Sequence, residues 1–306
     1  MSTLVPVQDL NVIGIGEVLW DHIGDQRHLG GAPFNFTWFA QQLGAKSGLI
    51  TRVGEDEEGR EILERMTTLG MYVSGLQYDT LRPTGKVNAL KSESGSIAYE
   101  IQKESAWDFI QYNTDASGLV RRADVFLFGT LAQRAPVARE TIKTALKALL
   151  PNTLCVLDLN LRPPYVTKEV IENSIKAADL VKLNGDELHE LKLLLGLPED
   201  QDAAVEHLMT TYDIATLAVT EGASGATAYT LSEKETVAGL NAPVADTIGC
   251  GDAFTAGFSM FLAAGASLKE ALAMGNLAGA YTATQPGGTP RFTPQHLHDF
   301  ASTLHG

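Results

Sequence analysis

No feature of this chain constrains its fold more than a series of short apolar runs, each bounded by polar or glycine residues. They fall at Asn11–Gly16, Ser47–Val53, Asp124–Gly129, Thr153–Leu159, Leu180–Leu183 and Ala215–Thr220. Between most of them lie helix-length segments, among them Pro33–Leu43 closed by Gly44 and Glu57–Leu69 closed by Gly70. Near-continuous apolar strands alternating with helices predict the α/β class: a mostly parallel sheet covered on both faces, with ligands gathering at the carboxyl ends of its strands. Two regions break the alternation. Val18–Leu29, with Gly24-Asp25 near its middle, and Lys86–Gln102, with Ser94-Gly95 inside it, read as strand pairs with turn chemistry that belong to no βαβ unit. No linker, repeat or low-complexity tract divides the 306 residues, so a single domain is expected.

Composition narrows the function. A formal charge of −14 argues against broad affinity for nucleic acid or anionic membranes, since both need a cationic surface, and a polyanionic substrate would need local positive groups or a metal ion. The two cysteines, Cys155 in an apolar run and Cys250 in a turn, read as reduced thiols, not as a disulfide framework or a zinc set. With no cationic start followed by an apolar core, and no apolar run of about 18 residues, a soluble cytoplasmic protein is expected.

The chemistry concentrates in residues 246–258, Asp-Thr-Ile-Gly-Cys-Gly-Asp-Ala-Phe-Thr-Ala-Gly-Phe. The Gly-Cys-Gly turn leads into a run that is small or apolar all round, the pattern of a buried helix, with Asp252 in its first turn. The N–H groups of Gly249, Cys250 and Gly251 would lack intrahelical acceptors and point at an anion on the helix axis, which glycine lets approach closely. Beside those donors the Asp252 carboxylate is expected to stay ionised and hence to be a weak base. A weak base suffices for phosphoryl transfer, whose transition state is loose and mostly needs positioning and charge stabilisation. For any one Asp after a Gly, a plain helix cap is the competing account.

This stretch resembles the C-terminal signature of the ribokinase-like (PfkB) carbohydrate kinases. Gly30-Gly31-Ala32-Pro33-Phe34-Asn35 resembles the N-terminal signature of the same family, in the version found in fructokinases. The resemblance implies a three-layer αβα sandwich, a single domain over 1–306 with segments 18–29 and 86–102 inserted as a small β lid over the sugar. It also implies ATP-dependent phosphorylation of a sugar hydroxyl, with Asp252 as base and Gly249, Cys250 and Gly251 as the anion hole.

At the sugar end, Gly30 and Gly31 allow close backbone approach, Pro33 suits a first helical position, and Asn35 would reach a ligand from the first turn. Asp21 alternates away from Trp20 and His22, and its carboxylate can accept from two adjacent hydroxyls, which suits a neutral polyol better than an acid. The family places a hydroxyl-binding aspartate there. Tyr99 and Trp107 would pack the lid against the sugar, although such aromatics also serve plain packing. Asn160 and Arg162 share a face while the chain is extended, and Arg162, in an Asp-x-Asn-x-Arg pattern seen in the fructokinase branch, is assigned to phosphate or substrate.

At the nucleotide end, Asn184-Gly185-Asp186-Glu187 resembles the family's Asn-x-x-Glu motif, which implies Asn184 near the nucleotide and Glu187 on Mg2+ through water. Asn184 also suits a helix cap. Thr220, Gly222 and Gly225 lie in a turn resembling the nucleotide-binding one, and Asn276 matches a position that touches nucleotide. Asp246 with Gln285–Thr289 resembles the loop that encloses a monovalent cation such as K+.

D-Fructose, at O1 or O6, is the leading acceptor; ribose, a nucleoside or 2-keto-3-deoxygluconate would use the same machinery. A non-catalytic sugar-binding regulator is the reading from another class, opposed by the intact Asp252 and its glycines. A Rossmann dehydrogenase fits poorly, because Gly14-Ile15-Gly16 lacks the third glycine at its spacing. An exposed lid edge would invite a homodimer through paired lids.

Overall fold

The computed structural model describes residues 5–23, 26–91 and 97–304. The turn pairs Gly24-Asp25 and Ser94-Gly95 lie outside the described residues. In chain order the elements are β1 (Asn11–Ile15), β2 (Leu19–Ile23), β3 (Gln26–Gly30), α1 (Ala32–Gln42), β4 (Lys46–Gly54), α2 (Glu57–Leu69), β5 (Leu76–Asp79), β6 (Gly85–Lys91) and β7 (Ile97–Ile101). There follow α3 (Thr114–Val120), β8 (Val125–Gly129), α4 (Pro136–Lys147), β9 (Leu154–Asp158), α5 (Lys168–Lys176), β10 (Leu180–Asn184), α6 (Gly185–Leu195), α7 (Gln201–Tyr212) and β11 (Thr216–Thr220). The chain ends with β12 (Gly225–Tyr229), β13 (Lys234–Ala238), α8 (Cys250–Ala263), α9 (Leu268–Ala283) and α10 (Pro294–Thr303).

The apolar runs form the main sheet, ordered β13-β12-β11-β10-β9-β8-β1-β4-β5 and parallel from β11 to β5. Side-chain alternation along each strand divides the interior in two. On β8, Phe126 and Phe128 join the core built with α3 to α7, while Val125 and Leu127 join the core built with α1, α2, α8, α9 and α10. A strand that feeds two cores must be apolar at nearly every position, which is why these runs stood out.

Three strands escaped the sequence reading: β5, and the antiparallel β12 and β13 that finish the far edge. The irregular regions form a separate four-stranded sheet, ordered β3-β2-β6-β7, in which β2 and β6 run parallel at the centre and each has an antiparallel partner. Helix α8 is buried from Ala253 to Met260 and packs against α1 and α9, so its N-terminus is fixed from two sides. Gly249 caps it in the left-handed region (φ 76°), and a Cβ at that position would collide with the Gly288 carbonyl. Only glycine meets both conditions.

Candidate active site

Parallel strands all end on the same side, and the predicted site residues follow from that. β1 leads through Glu17 to β2, and β2 and β3 return the chain to Gly30-Gly31 and α1. Gly31 has φ 107°, and a Cβ there would lie 2.6 Å from the Glu17 carbonyl. Asp21 lies over Gly30, its Oδ2 2.7 Å from where a Cβ would be. Asn35, 4% exposed, donates from Nδ2 to Asp252 Oδ2 at 2.8 Å. That bond spans 217 residues and joins the two signatures. Asp252 Oδ1 accepts from no described residue.

The α8 turn departs from expectation in one donor. The Cys250 N–H is turned to Thr247 O at 3.4 Å, a long bond, whereas the N–H groups of Gly249, Gly251 and Asp252 have no acceptor among the described residues. The protonation of Asp252 needs a correction. Asp252 is half-buried, and loss of hydration, followed by the neighbouring Asp158, pushes its carboxyl up to about 7. The Asn35 hydrogen bond and the charges of Lys182 and Arg162 oppose this without overcoming it. Asp252 is therefore not held permanently ionised; it sits poised near neutrality. Asp21 is likewise pushed up to about 6, by burial first, with His28, Arg162 and His22 acting against it.

Arg162 is exposed and donates to the Leu161 carbonyl at 2.9 Å. Tyr99 lies on β7 opposite Ala89, and its side chain falls outside the described residues. Trp107 is fully buried, with the Arg134 guanidinium 3.9 Å from its ring centre, so it packs the core beneath the smaller sheet.

Sheet register assembles the nucleotide-end residues. Asn184 pairs with Thr220 across β10 and β11, and Gly225 with Ala238 across β12 and β13. Asn276 on α9 donates to the Ala238 carbonyl at 2.8 Å, and Thr220 Oγ1 to the Leu183 carbonyl at 3.5 Å. Gly222 turns the chain between β11 and β12 with φ 54°. Asn184 caps α6 by accepting from the Glu187 N–H at 2.9 Å, and Glu187 answers by accepting from the Asn184 N–H at 2.8 Å. The other Glu187 oxygen accepts from the Leu161 N–H at 2.9 Å. Both oxygens of Glu187 are thus engaged, and no cluster of three acidic, histidine or cysteine ligands exists among the described residues. Such a donor set suits a metal carried by phosphates and touched through water, not one caged by protein. Asp246 accepts from Ile248 N–H at 3.0 Å and from Gly287 N–H at 3.1 Å, which joins it to the 285–289 loop.

Sequence reasoning missed Lys182 and Asp158. Lys182, 6% exposed, reaches Asp158 at 3.3 and 3.4 Å, and its Nζ lies 3.0 Å from where a Cβ on Gly251 would be. Burial works against its charge, but Asp158, Glu187 and Asp252 outweigh that and raise its pKa above the ordinary value. The signal was a lysine inside an apolar strand, Leu180-Val181-Lys182-Leu183.

What fold and site define is an α/β protein with free amides at the half-buried N-terminus of a buried helix, flanked by a poised carboxyl and a buried ammonium: the arrangement of a phosphotransferase. Residues 17–295 match the pfkB family of carbohydrate kinases, and the chain belongs to that family. Fructokinase-2 of Zea mays is 27% identical over 306 residues, covering 91% of this chain and 90% of that one. The crystal structure of an uncharacterized sugar kinase from Pyrococcus horikoshii superposes with a TM-score of 0.80 at 26% identity, covering 97% of this chain and all of that one. A fructokinase from Vibrio cholerae O395, bound to fructose, ADP and calcium, superposes with a TM-score of 0.81 at 23% identity, covering 96% and 99%. The fold is ribokinase-like, and the protein is a carbohydrate kinase.

Proposed function

We propose that the protein transfers the γ-phosphoryl group of ATP to a hydroxyl of a small neutral sugar, with D-fructose as the leading acceptor. Fructokinases among the similar proteins support this choice, as does a Pyrococcus horikoshii sugar kinase structure in complex with ATP. The observation that carries it is the 2.8 Å bond from Asn35 to Asp252 Oδ2, which puts the sugar loop against the α8 turn.

Asp252 takes the hydroxyl proton on Oδ1 while Asn35 fixes Oδ2, and a carboxyl poised near neutrality is suited to that exchange at pH 7. The free N–H groups of Gly249, Gly251 and Asp252 receive the phosphoryl oxygens; of the three amides expected in that role, Gly249, Cys250 and Gly251, that of Cys250 is turned to Thr247. Losing one such donor typically costs about 3 to 4 kcal/mol of barrier. The Lys182 ammonium lies against the positive end of α8, a placement that favours an anion between them. Asp21, Gly30, Gly31, Asn35, Tyr99 and Arg162 bind the sugar, and the smaller sheet closes over it as a lid of the one kinase domain. Asn184, Thr220, Gly222, Gly225 and Asn276 shape the ATP site. Magnesium would ride on the phosphates with Glu187 reaching it through water, neutralising charge as it develops; Asp246 and the 285–289 loop would hold K+.

A coupled ADP-release assay over a panel of fructose, ribose, nucleosides and 2-keto-3-deoxygluconate tests the reading, with NMR of the product deciding O1 or O6. Fructose should give the highest kcat/KM; sugar-independent ATP hydrolysis alone, or none, would refute it.

A further inference from the structure

The Asp21 carboxyl accepts a hydrogen bond from no described residue, so the strand that carries it, β2, is what aims it. β2 lies inside the smaller sheet, between β3 and β6. Register puts Asp21 opposite His28 and Val87 on one face of that sheet, and Trp20 and His22 with Leu29, Arg27 and Lys86 on the other. This second face sits on α2. Trp20 is fully buried in the core that also takes Ile62 and Met66 of α2, and its Nε1 donates to the Glu58 carbonyl at 3.4 Å. Beside it, three strands each send one basic side chain to the Glu58 carboxylate: Lys86 of β6 at 2.8 Å, His22 of β2 at 3.3 Å and Arg27 of β3 at 4.0 Å. Arg27 also reaches Glu61, and its guanidinium lies 4.6 Å from the Trp20 ring centre. The Glu58 side chain is 14% exposed and its three partners 33 to 39%, so the cluster closes around the carboxylate.

We propose that Glu58 is a positioning residue for the acceptor sugar: it pins the outer face of the smaller sheet to α2, thereby holds Asp21 over Gly30, and so sets the affinity for a sugar it does not touch. The inference rests on the sugar-kinase reading and deepens it. A single exposed ion pair adds little, but one carboxylate shared by three strands fixes them relative to one another and to α2, and its loss frees all three together. A ligating group has to be held within about 0.5 Å of its working position, and Asp21 has no side-chain partner of its own to hold it there. Asp252 and the free amides are carried instead by α8, which α1 and α9 hold in place. Loss of Glu58 should therefore fall on sugar binding and spare the transfer step.

In E58Q the main-chain carbonyl still accepts from Trp20 and the buried ring stays in place, so the variant should melt within a few degrees of wild type. Its KM for the sugar should rise about fivefold or more, with kcat and the KM for ATP each within about twofold. A D21N background then separates positioning from general loosening. There E58Q should add no more than about twofold to the sugar KM, because the group that Glu58 aims is already lost. An unchanged sugar KM in E58Q, a loss that falls on kcat instead, or the same rise in both backgrounds overturns the proposal. Should E58Q not fold, the wild type decides through ionic strength. A neutral sugar has no charge of its own to screen, so its KM at saturating ATP and fixed K+ should climb severalfold between about 0.05 and 0.5 M NaCl as the cluster on Glu58 weakens, and a flat response overturns the proposal. Failure of the wild type to phosphorylate any sugar sinks the underlying reading and this inference with it. Normal wild-type turnover with an indifferent E58Q sinks only the role of Glu58.

Discussion

The sugar end and the nucleotide end of the site draw on the same residue types and use them in opposite ways. At the sugar end Asn35 Oδ1 and Glu17 Oε2 are buried without partners, and Asp21 and Asp252 are pushed toward neutral pH. At the nucleotide end the side chains are closed on the protein itself: Asn184 and Glu187 cap α6, Asn276 holds β13, and Asp246 holds the 285–289 loop. An open buried polar atom costs stability until a ligand completes it, while a closed one shapes backbone. On the proposed function, side chains would meet the ligand directly at one end, and at the other they would form loops whose main chain does so. Substitutions should separate accordingly, into changes of rate at the sugar end and changes of stability and ATP affinity at the nucleotide end.

The largest effect is expected for Asp252→Asn, which should lower kcat by about a thousandfold or more in the coupled assay. It should also melt higher than wild type at pH 8. The fold raises the Asp252 pKa, so the native state holds its proton more tightly than the unfolded chain does. That contribution is complete below about pH 4 and is lost as pH rises through about 7, where the buried group must ionise. The melting advantage of Asp252→Asn should thus widen between pH 5 and pH 8; equal melting at both values would show that the carboxyl is not burdened by burial.

Next comes Lys182→Met, at the boundary of the two ends. It leaves Asp158 buried without its cation, a loss of about 3 to 5 kcal/mol for a broken buried pair, readable by urea unfolding. The positive charge also pulls the Asp252 pKa down, so the acid limb of kcat/KM should move to higher pH in whatever folds. An unshifted limb would separate Lys182 from the base. The smallest effect is expected for Asn184→Ala, which removes the α6 cap for about 1 kcal/mol. Its KM for ATP should rise less than tenfold with kcat nearly intact; a collapse of kcat would contradict the division between the two ends.

Legibility in the sequence follows the range of the interactions. The α8 turn could be read because its glycines and aspartate act within one turn of helix, and β1, β4, β8, β9, β10 and β11 because burial on two faces writes an apolar run. β12, Gly-Ala-Thr-Ala-Tyr, has small side chains against α9 and carries little such signal. Lys182 and Asp158 meet only because β9 and β10 place them side by side in register, and no local spacing encodes that. The ionisation of Asp252 was misjudged for the same reason: its amides are local, but the burial and the Asp158 charge that prevail are tertiary.

The account stands most directly on the pH dependence of kcat/KM for the sugar, measured with saturating ATP in wild type and in Asp252→Asn. Wild-type activity should climb through an apparent pKa near 7 and the residual activity of the variant should not. A wild-type profile flat from pH 5 to 9, or a variant that keeps both the limb and the rate, would contradict the assignment of Asp252 as the base.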